Sequence, residues 1–125
     1  HAGWRGLVAG VIEQAVAGMR ENCTDIMDYL GPAIGTDYFE IGEKVRHSFI
    51  KQDKISMPAF TPCNGVNNKK WRADIFLLAR QRLAVAGVTK IYSHEECTYS
   101  NPDKFFSHRR DGDTGRMAGL IWLEK

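Results

Sequence analysis

His1-Ala2-Gly3-Trp4-Arg5-Gly6 is the stretch on which the reading of this chain turns. It runs directly into an apolar stripe, Val8, Ile12, Ala15 and Met19, widened by Leu7 and Val11. Glu13, Gln14, Arg20 and Glu21 lie off the stripe, so the period predicts an amphipathic helix over about residues 7–21. A glycine-rich turn feeding a helix presents backbone N–H groups at the positive end of the helix dipole, which favours an anion. Arg5 adds a planar, permanently charged fork suited to phosphate or carboxylate. His1 can offer a neutral imidazole to a metal. The plainer alternative is that Gly3 and Gly6 permit close packing and Arg5 makes a surface ion pair, the commoner case for a lone Gly-Arg loop.

Outward from this segment, helical and extended patterns alternate. Ile26–Leu30 reads as a short strand, and the glycines and Pro32 of residues 31–38 as a loop. Ile41, Val45 and Phe49, spaced by four, suggest a second helix. Residues 51–70 are rich in Lys, Asp, Asn, Pro and Gly, with turn formers at Asn64-Gly65 and Asn67-Asn68. The clearest helix follows Trp71, with Phe76, Ala79, Leu83 and Ala86 on one face, Asp74 at its start and Gly87 just past its end. Val88–Tyr92 reads as a strand, Pro102–Phe106 as one helical turn, and Met117–Leu123 as a strand buried on both faces. The alternation is that of an α/β fold.

The bulk properties narrow the partners. A chain of 125 residues fits one compact domain. A balance of 17 Lys+Arg against 15 Asp+Glu is too even to argue for nucleic acid or an anionic membrane. No apolar run approaches the roughly 20 residues that span a bilayer, and no segment has the pattern of a signal peptide. Cys23, Cys63 and Cys97 are odd in number and widely spaced, which argues against a disulfide framework or a zinc knuckle. A reduced, cytoplasmic protein is expected.

Two further clusters carry candidate chemistry. Ser107 to Arg116 holds His108, Arg109, Arg110 and Arg116 in a turn ahead of an apolar run. It suits recognition of an oxyanion, or equally a solvated hairpin with Arg–Asp pairs. Its Asp111-Gly112-Asp113-Thr114-Gly115 stretch loosely resembles a calcium loop but lacks the downstream acidic ligand, and three arginines oppose a cation. Cys97 stands behind Glu95 and Glu96, with nothing local to lower its pKa, and reads as an inert thiol. His47 and His94 have no sequence context that marks them as functional. Serine-hydrolase, P-loop, zincin and dinucleotide fingerprints do not occur.

Three segments, in this order and spacing, resemble the YfiH family. They are His1-Ala-Gly-Trp-Arg-Gly; Leu30-Gly-Pro-Ala-Ile-Gly with Phe39-Glu-Ile-Gly-Glu; and Phe105-Phe-Ser-His-Arg-Arg-Asp running through Thr114-Gly-Arg-Met-Ala to Ile121-Trp-Leu. Cys97-Thr98-Tyr99 matches as well. Members are described as laccase-domain or polyphenol oxidase proteins, purine nucleoside phosphorylases and peptidoglycan editing factors. They are about twice this long, so the resemblance implies that residues 1–125 are the C-terminal part of a single YfiH-like domain with a layered α/β/β/α-type fold. The missing N-terminal half would then be its first partner. The resemblance further implies that His1 is one ligand of a His/His/Cys metal site, zinc or else copper, whose other donors lie outside this chain. Cys97 is not the missing cysteine, because its motif matches a different position. Many relatives carry Tyr where this chain has His108.

The activity so implied is metal-dependent phosphorolysis of purine nucleosides (adenosine, inosine, methylthioadenosine), with adenosine deamination beside it and the fragment alone inactive. Arg5, Arg109, Arg110 and Arg116 would bind phosphate or substrate. Alternatives are hydrolytic editing of peptidoglycan precursors and copper-dependent polyphenol oxidation, the latter disfavoured by four scattered histidines. Outside these stand copper chelation by a mature N-terminal His1, and a non-catalytic module that pairs with a separate first-half subunit.

Overall fold

The computed structural model describes residues 1–63, 69–122 and 124. The turn formers at 64–68 and the end of the 117–123 run at Leu123 lie outside these residues. The predicted first helix is two: α1 (Trp4–Val8) and α2 (Val11–Met19). They break at Gly10, whose φ of 81° is left-handed and costs glycine little. The break re-aims the stripe, so Leu7 and Val16 are buried while Ala15 and Met19 face outward.

Next come β1 (Met27–Leu30), a 3₁₀ turn at Thr36–Tyr38, β2 (Glu40–Gly42) and α3 (Glu43–Gln52). Ile41 belongs to the strand, so its spacing of four with Val45 and Phe49 crosses a strand–helix junction. The stretch read as least regular holds a 3₁₀ segment, Lys54–Ala59, and β3 (Phe60–Pro62). Then follow β4 (Lys70–Ala73), α4 (Ile75–Val85), β5 (Lys90–Ser93) and α5 (His108–Asp111).

α4 obeys its sequence signals. The Asp74 carboxylate accepts from the Leu77 N–H at 2.8 Å, a helix N-cap. At the other end Gly87, with φ 87°, lets the Val88 N–H return to the Leu83 carbonyl at 2.9 Å, closing the helix in the usual way. At the start of 102–106 a single turn closes, with Asn101 O accepting from the Lys104 and Phe105 N–H groups, and the short helix α5 follows it.

Two small sheets result. β1 and β5 pair in parallel, Met27 opposite Lys90 through Leu30 opposite Ser93. β4 is the centre of an antiparallel sheet, order β2-β4-β3. The larger core gathers Leu7, Phe39, Ile41, Phe49, Phe60, Phe76 and Leu78 between that sheet and α1, α3 and α4. Phe49 is 1% exposed and packs against Phe60. A second core of Val16, Ile26, Leu83 and Val88 joins α2 and α4 to the parallel pair. The predicted buried strand at 117–123 is not formed within 117–122: these residues make no ladder, and Leu120, Ile121 and Trp122 face solvent. The apolar pattern is there, but the described chain offers no strand to pair with it.

Asp28, on the inward side of β1, has one carboxylate oxygen buried without a hydrogen-bond partner, and burial pushes its carboxyl above the ordinary 3.8. The folded state therefore favours the neutral acid. Its contribution to stability is full below the ordinary carboxylate range and is lost as pH rises through the raised value. Asp28→Asn is expected to stabilise the chain at neutral pH, the gain vanishing at acid pH, as read from urea midpoints across the range. Equal midpoints at neutral pH would overturn this.

Candidate functional site

The family-like motifs on β1 and after β5 are far apart in sequence and meet at one place. Beyond the parallel pair, Ala33 and Cys97 form a further bridge, with Ala33 N–H donating to Glu96 O and Thr98 N–H to Ala33 O. The Gly35 N–H donates to the Cys97 sulfur at 3.1 Å, and a methyl group at Gly35 would lie as close to that sulfur. Only a glycine passes here without displacing the thiol. Burial pushes the thiol up. Hydrogen bonds from the Ser100 hydroxyl, and from the backbone N–H groups of Ser100, Gly35 and Tyr99, outweigh it and hold the thiol below its ordinary range. Cys97 is thus not the featureless thiol its acidic neighbours suggest. One partner, Gly35, comes from 62 residues away, where no local signal reveals it, while Ser100 and Tyr99 are near neighbours in the chain.

Arg110 closes the same knot. Nη1 donates to the Thr98 and Tyr99 carbonyls at 2.9 and 3.0 Å, and Nη2 to the Phe105 carbonyl at 2.9 Å. Nε and Nη2 also grip Asp111 in a bidentate pair. That pair holds the Asp111 carboxyl below the usual range and Arg110 above it. All three guanidinium nitrogens are engaged, so Arg110 here shapes the loop. His108 Nδ1 donates to the Gly112 carbonyl at 2.6 Å and closes the turn. Arg116 folds back on the Thr114 and Gly115 carbonyls.

Arg109 points the other way. It is exposed, lies over the Phe39 ring and donates one N–H to the Glu40 carbonyl at 2.9 Å. Tyr38 and Tyr99 stack beside this region at 4.4 Å between centroids, a pair the sequence reading missed. Arg5 is exposed and lies over the Trp4 indole at 4.5 Å. α1 has only five residues, so its dipole adds little and the cationic character of this loop rests on Arg5 itself. A methyl group at Gly3 would sit 3.1 Å from His1 Nε2, so the imidazole folds over the glycine. Ala2 and Trp4 of the first segment pack into the larger core together with Ala33, Ile34 and Phe39, and Arg109 reaches that core from the other segment by lying over the Phe39 ring.

Among the described residues, no three His, Cys, Asp or Glu side chains are grouped to hold a metal ion. His1 is one donor where a catalytic zinc takes three from the protein. The residues present therefore do not make a metal site by themselves.

Residues 1–124 match the family described as multi-copper polyphenol oxidoreductase laccase. The chain belongs to that family, whose relatives include proteins named YfiH. It is 49% identical over 123 residues to the Escherichia coli protein named purine nucleoside phosphorylase YfiH, covering 98% of this chain and 49% of that one. Against the Haemophilus influenzae protein named purine nucleoside phosphorylase, identity is 42% over 124 residues, 99% of this chain and 50% of that one. A crystal structure of a Neisseria meningitidis protein superposes with a TM-score of 0.84 at 41% identity, over 92% of this chain and 46% of that one. That of the Bacillus licheniformis hypothetical protein YfiH gives 0.80 at 29% identity, over 89% and 43%. The chain thus spans about half the length of the relatives it matches. Among the described residues no helix is long and apolar enough to cross a membrane.

Proposed function

We propose that this chain is the C-terminal part of a metal-dependent enzyme that phosphorolyses purine nucleosides, with adenosine deamination as a lesser activity. The observation that carries this reading is the 49% identity, along 98% of the chain, to a protein named purine nucleoside phosphorylase. Supporting it are two exposed guanidinium groups: Arg5, whose neighbours Ala2 and Trp4 pack on the larger core, and Arg109, which lies over the core residue Phe39.

In phosphorolysis a phosphate oxygen forms a bond to C1′ as the bond from C1′ to the base nitrogen breaks. The base leaves with the electron pair and takes a proton, and ribose 1-phosphate remains. The work left to the protein is to hold a multiply charged nucleophile in line with that bond. Arg5 and Arg109 are the residues proposed to hold phosphate. Arg110 keeps the loop bearing Arg109 in shape, and Arg116 lies at its rim. His1 would serve as one ligand of a zinc completed by donors from the remaining half. When bound, zinc would supply Lewis acidity. Copper is the alternative metal, since the family's description is of a multi-copper oxidoreductase, and metal analysis of the full-length protein decides between them.

The test is chromatography of products from the zinc-loaded full-length protein and adenosine, with and without phosphate. Adenine and ribose 1-phosphate are expected only with phosphate, and not from His1→Ala. Arg5→Ala should raise the phosphate KM roughly 10- to 100-fold, the worth of a charged hydrogen bond. Inosine without phosphate would put deamination first, and no turnover would overturn the nucleoside reading.

A further inference from the structure

Among the described residues, seven of the thirteen exposed large apolar side chains fall in two places. β1 and β5 turn Asp28, Leu30, Ile91 and Ser93 toward the helices and Met27, Tyr29, Tyr92 and Lys90 away, the first three of these outward residues being 69%, 56% and 56% exposed. Parallel sheets are covered on both faces, and two strands are too few to stand alone. The second place is the extended segment 117–122, where Leu120, Ile121 and Trp122 are 86%, 94% and 72% exposed. Side chains of this size in sequence, without a partner, mark an interface.

We propose that the outer face of the β1–β5 sheet and residues 117–122 form one docking surface for the complementary half of the domain, and that 117–122 becomes a strand only on docking. The inference rests on the half-domain reading above. The length of the relatives names the occupant. In the Neisseria structure this backbone recurs with a TM-score of 0.84 as only 46% of a longer chain. The remainder is of nearly equal size, and what this chain leaves bare is what a second half needs: one apolar sheet face and one strand to pair. A second copy of this chain is the competing occupant, which the experiment below distinguishes.

The probe is the part of the Escherichia coli relative that this chain does not match, co-expressed with this chain. The expected result is a one-to-one complex by sedimentation, hydrogen-exchange protection appearing at residues 117–122, and a blue shift of Trp122 emission. Leu120→Asp and Ile121→Asp should each weaken the complex at least about tenfold, the scale for an anchor at an interface. Since those side chains are almost fully exposed in the chain alone, its circular dichroism should not change. Tyr29→Glu tests the sheet face in the same way.

No complex, or a complex with 117–122 unprotected and indifferent to both variants, would overturn the proposal. So would self-association of this chain broken by the same substitutions, which would make a second copy the occupant. None of these readouts uses turnover. A failed nucleoside assay therefore leaves the interface standing, and a failed assembly leaves the activity of a full-length protein open to its own test.

Discussion

Phe49→Ala is expected to abolish the cooperative unfolding transition of this chain at room temperature. Phe49 is the pivot of the larger core, 1% exposed at the inner face of α3 and in contact with Phe60 from the antiparallel sheet. Removing a buried phenyl group loses its transfer free energy and leaves a cavity, together about 3–5 kcal/mol. Whole domains have only about 5–15 kcal/mol to lose, and a chain with a bare sheet face lies at the low end. The measurement is urea unfolding followed by near-ultraviolet circular dichroism. Phe49→Leu, which keeps most of the volume, should retain a sigmoidal transition at a lower midpoint. If alanine were tolerated as well as leucine, the core would be more plastic than its packing indicates.

The second large effect separates the three arginines of the 107–116 cluster. Arg110→Ala should lower the melting temperature far more than Arg109→Ala or Arg116→Ala. It strips the Thr98, Tyr99 and Phe105 carbonyls of their donor and Asp111 of its counter-ion. Arg110→Lys should recover little, because one ammonium group cannot reproduce a fork aimed at three carbonyls and a carboxylate. The other two sit at the surface and should shift stability by no more than about 0.5 kcal/mol. In the full-length protein the order of effects should change. Arg109→Ala should reduce turnover at limiting phosphate with stability intact, whereas Arg110→Ala should lose both together. A thermally silent Arg110→Ala would return that residue to the list of direct substrate contacts.

How far the sequence reading reached depended on whether each signal was local. Asp74, Gly87 and the apolar face between them are one helix's own business, and α4 emerges where they place it. The break at Gly10 was masked because the helical period on either side of it continues almost in phase, and a single glycine is outweighed by the count of apolar residues. Ile41 misled for a related reason: spacing alone does not separate a strand end from the first turn of the helix that follows. Met117–Leu123 has the composition of a buried strand, and within 117–122 the structure leaves it bare, because burial requires a partner that lies elsewhere. The site divides in the same way. His1, Arg5 and the arginine cluster are visible as residue types in motifs. That Arg110 is tied to three carbonyls and Arg109 to one depends on Thr98, Tyr99 and Phe105 arriving beside the first and Glu40 beside the second, which no local pattern encodes.

The pairing of β1 with β5 also sets a timetable. Met27 lies opposite Lys90, a separation of 63 residues (90 − 27), and Gly35 meets Cys97 across 62. At the usual pace of translation, this separation corresponds to roughly 3–13 seconds. Through that interval β1 is without the strand it pairs with, and the ladder edge carrying Met27, Tyr29 and Leu30 stays open. Pairings so distant are slow to form in any case, since loop closure must be met before contacts reward it. The antiparallel sheet and α3 can assemble while they wait, because their partners lie within a few dozen residues. The chain is therefore built in an order, sheet core first and parallel pair last, and its most aggregation-prone moment falls between the two. Until β5 arrives, the open edge of β1 is where this chain is most exposed to pairing with another.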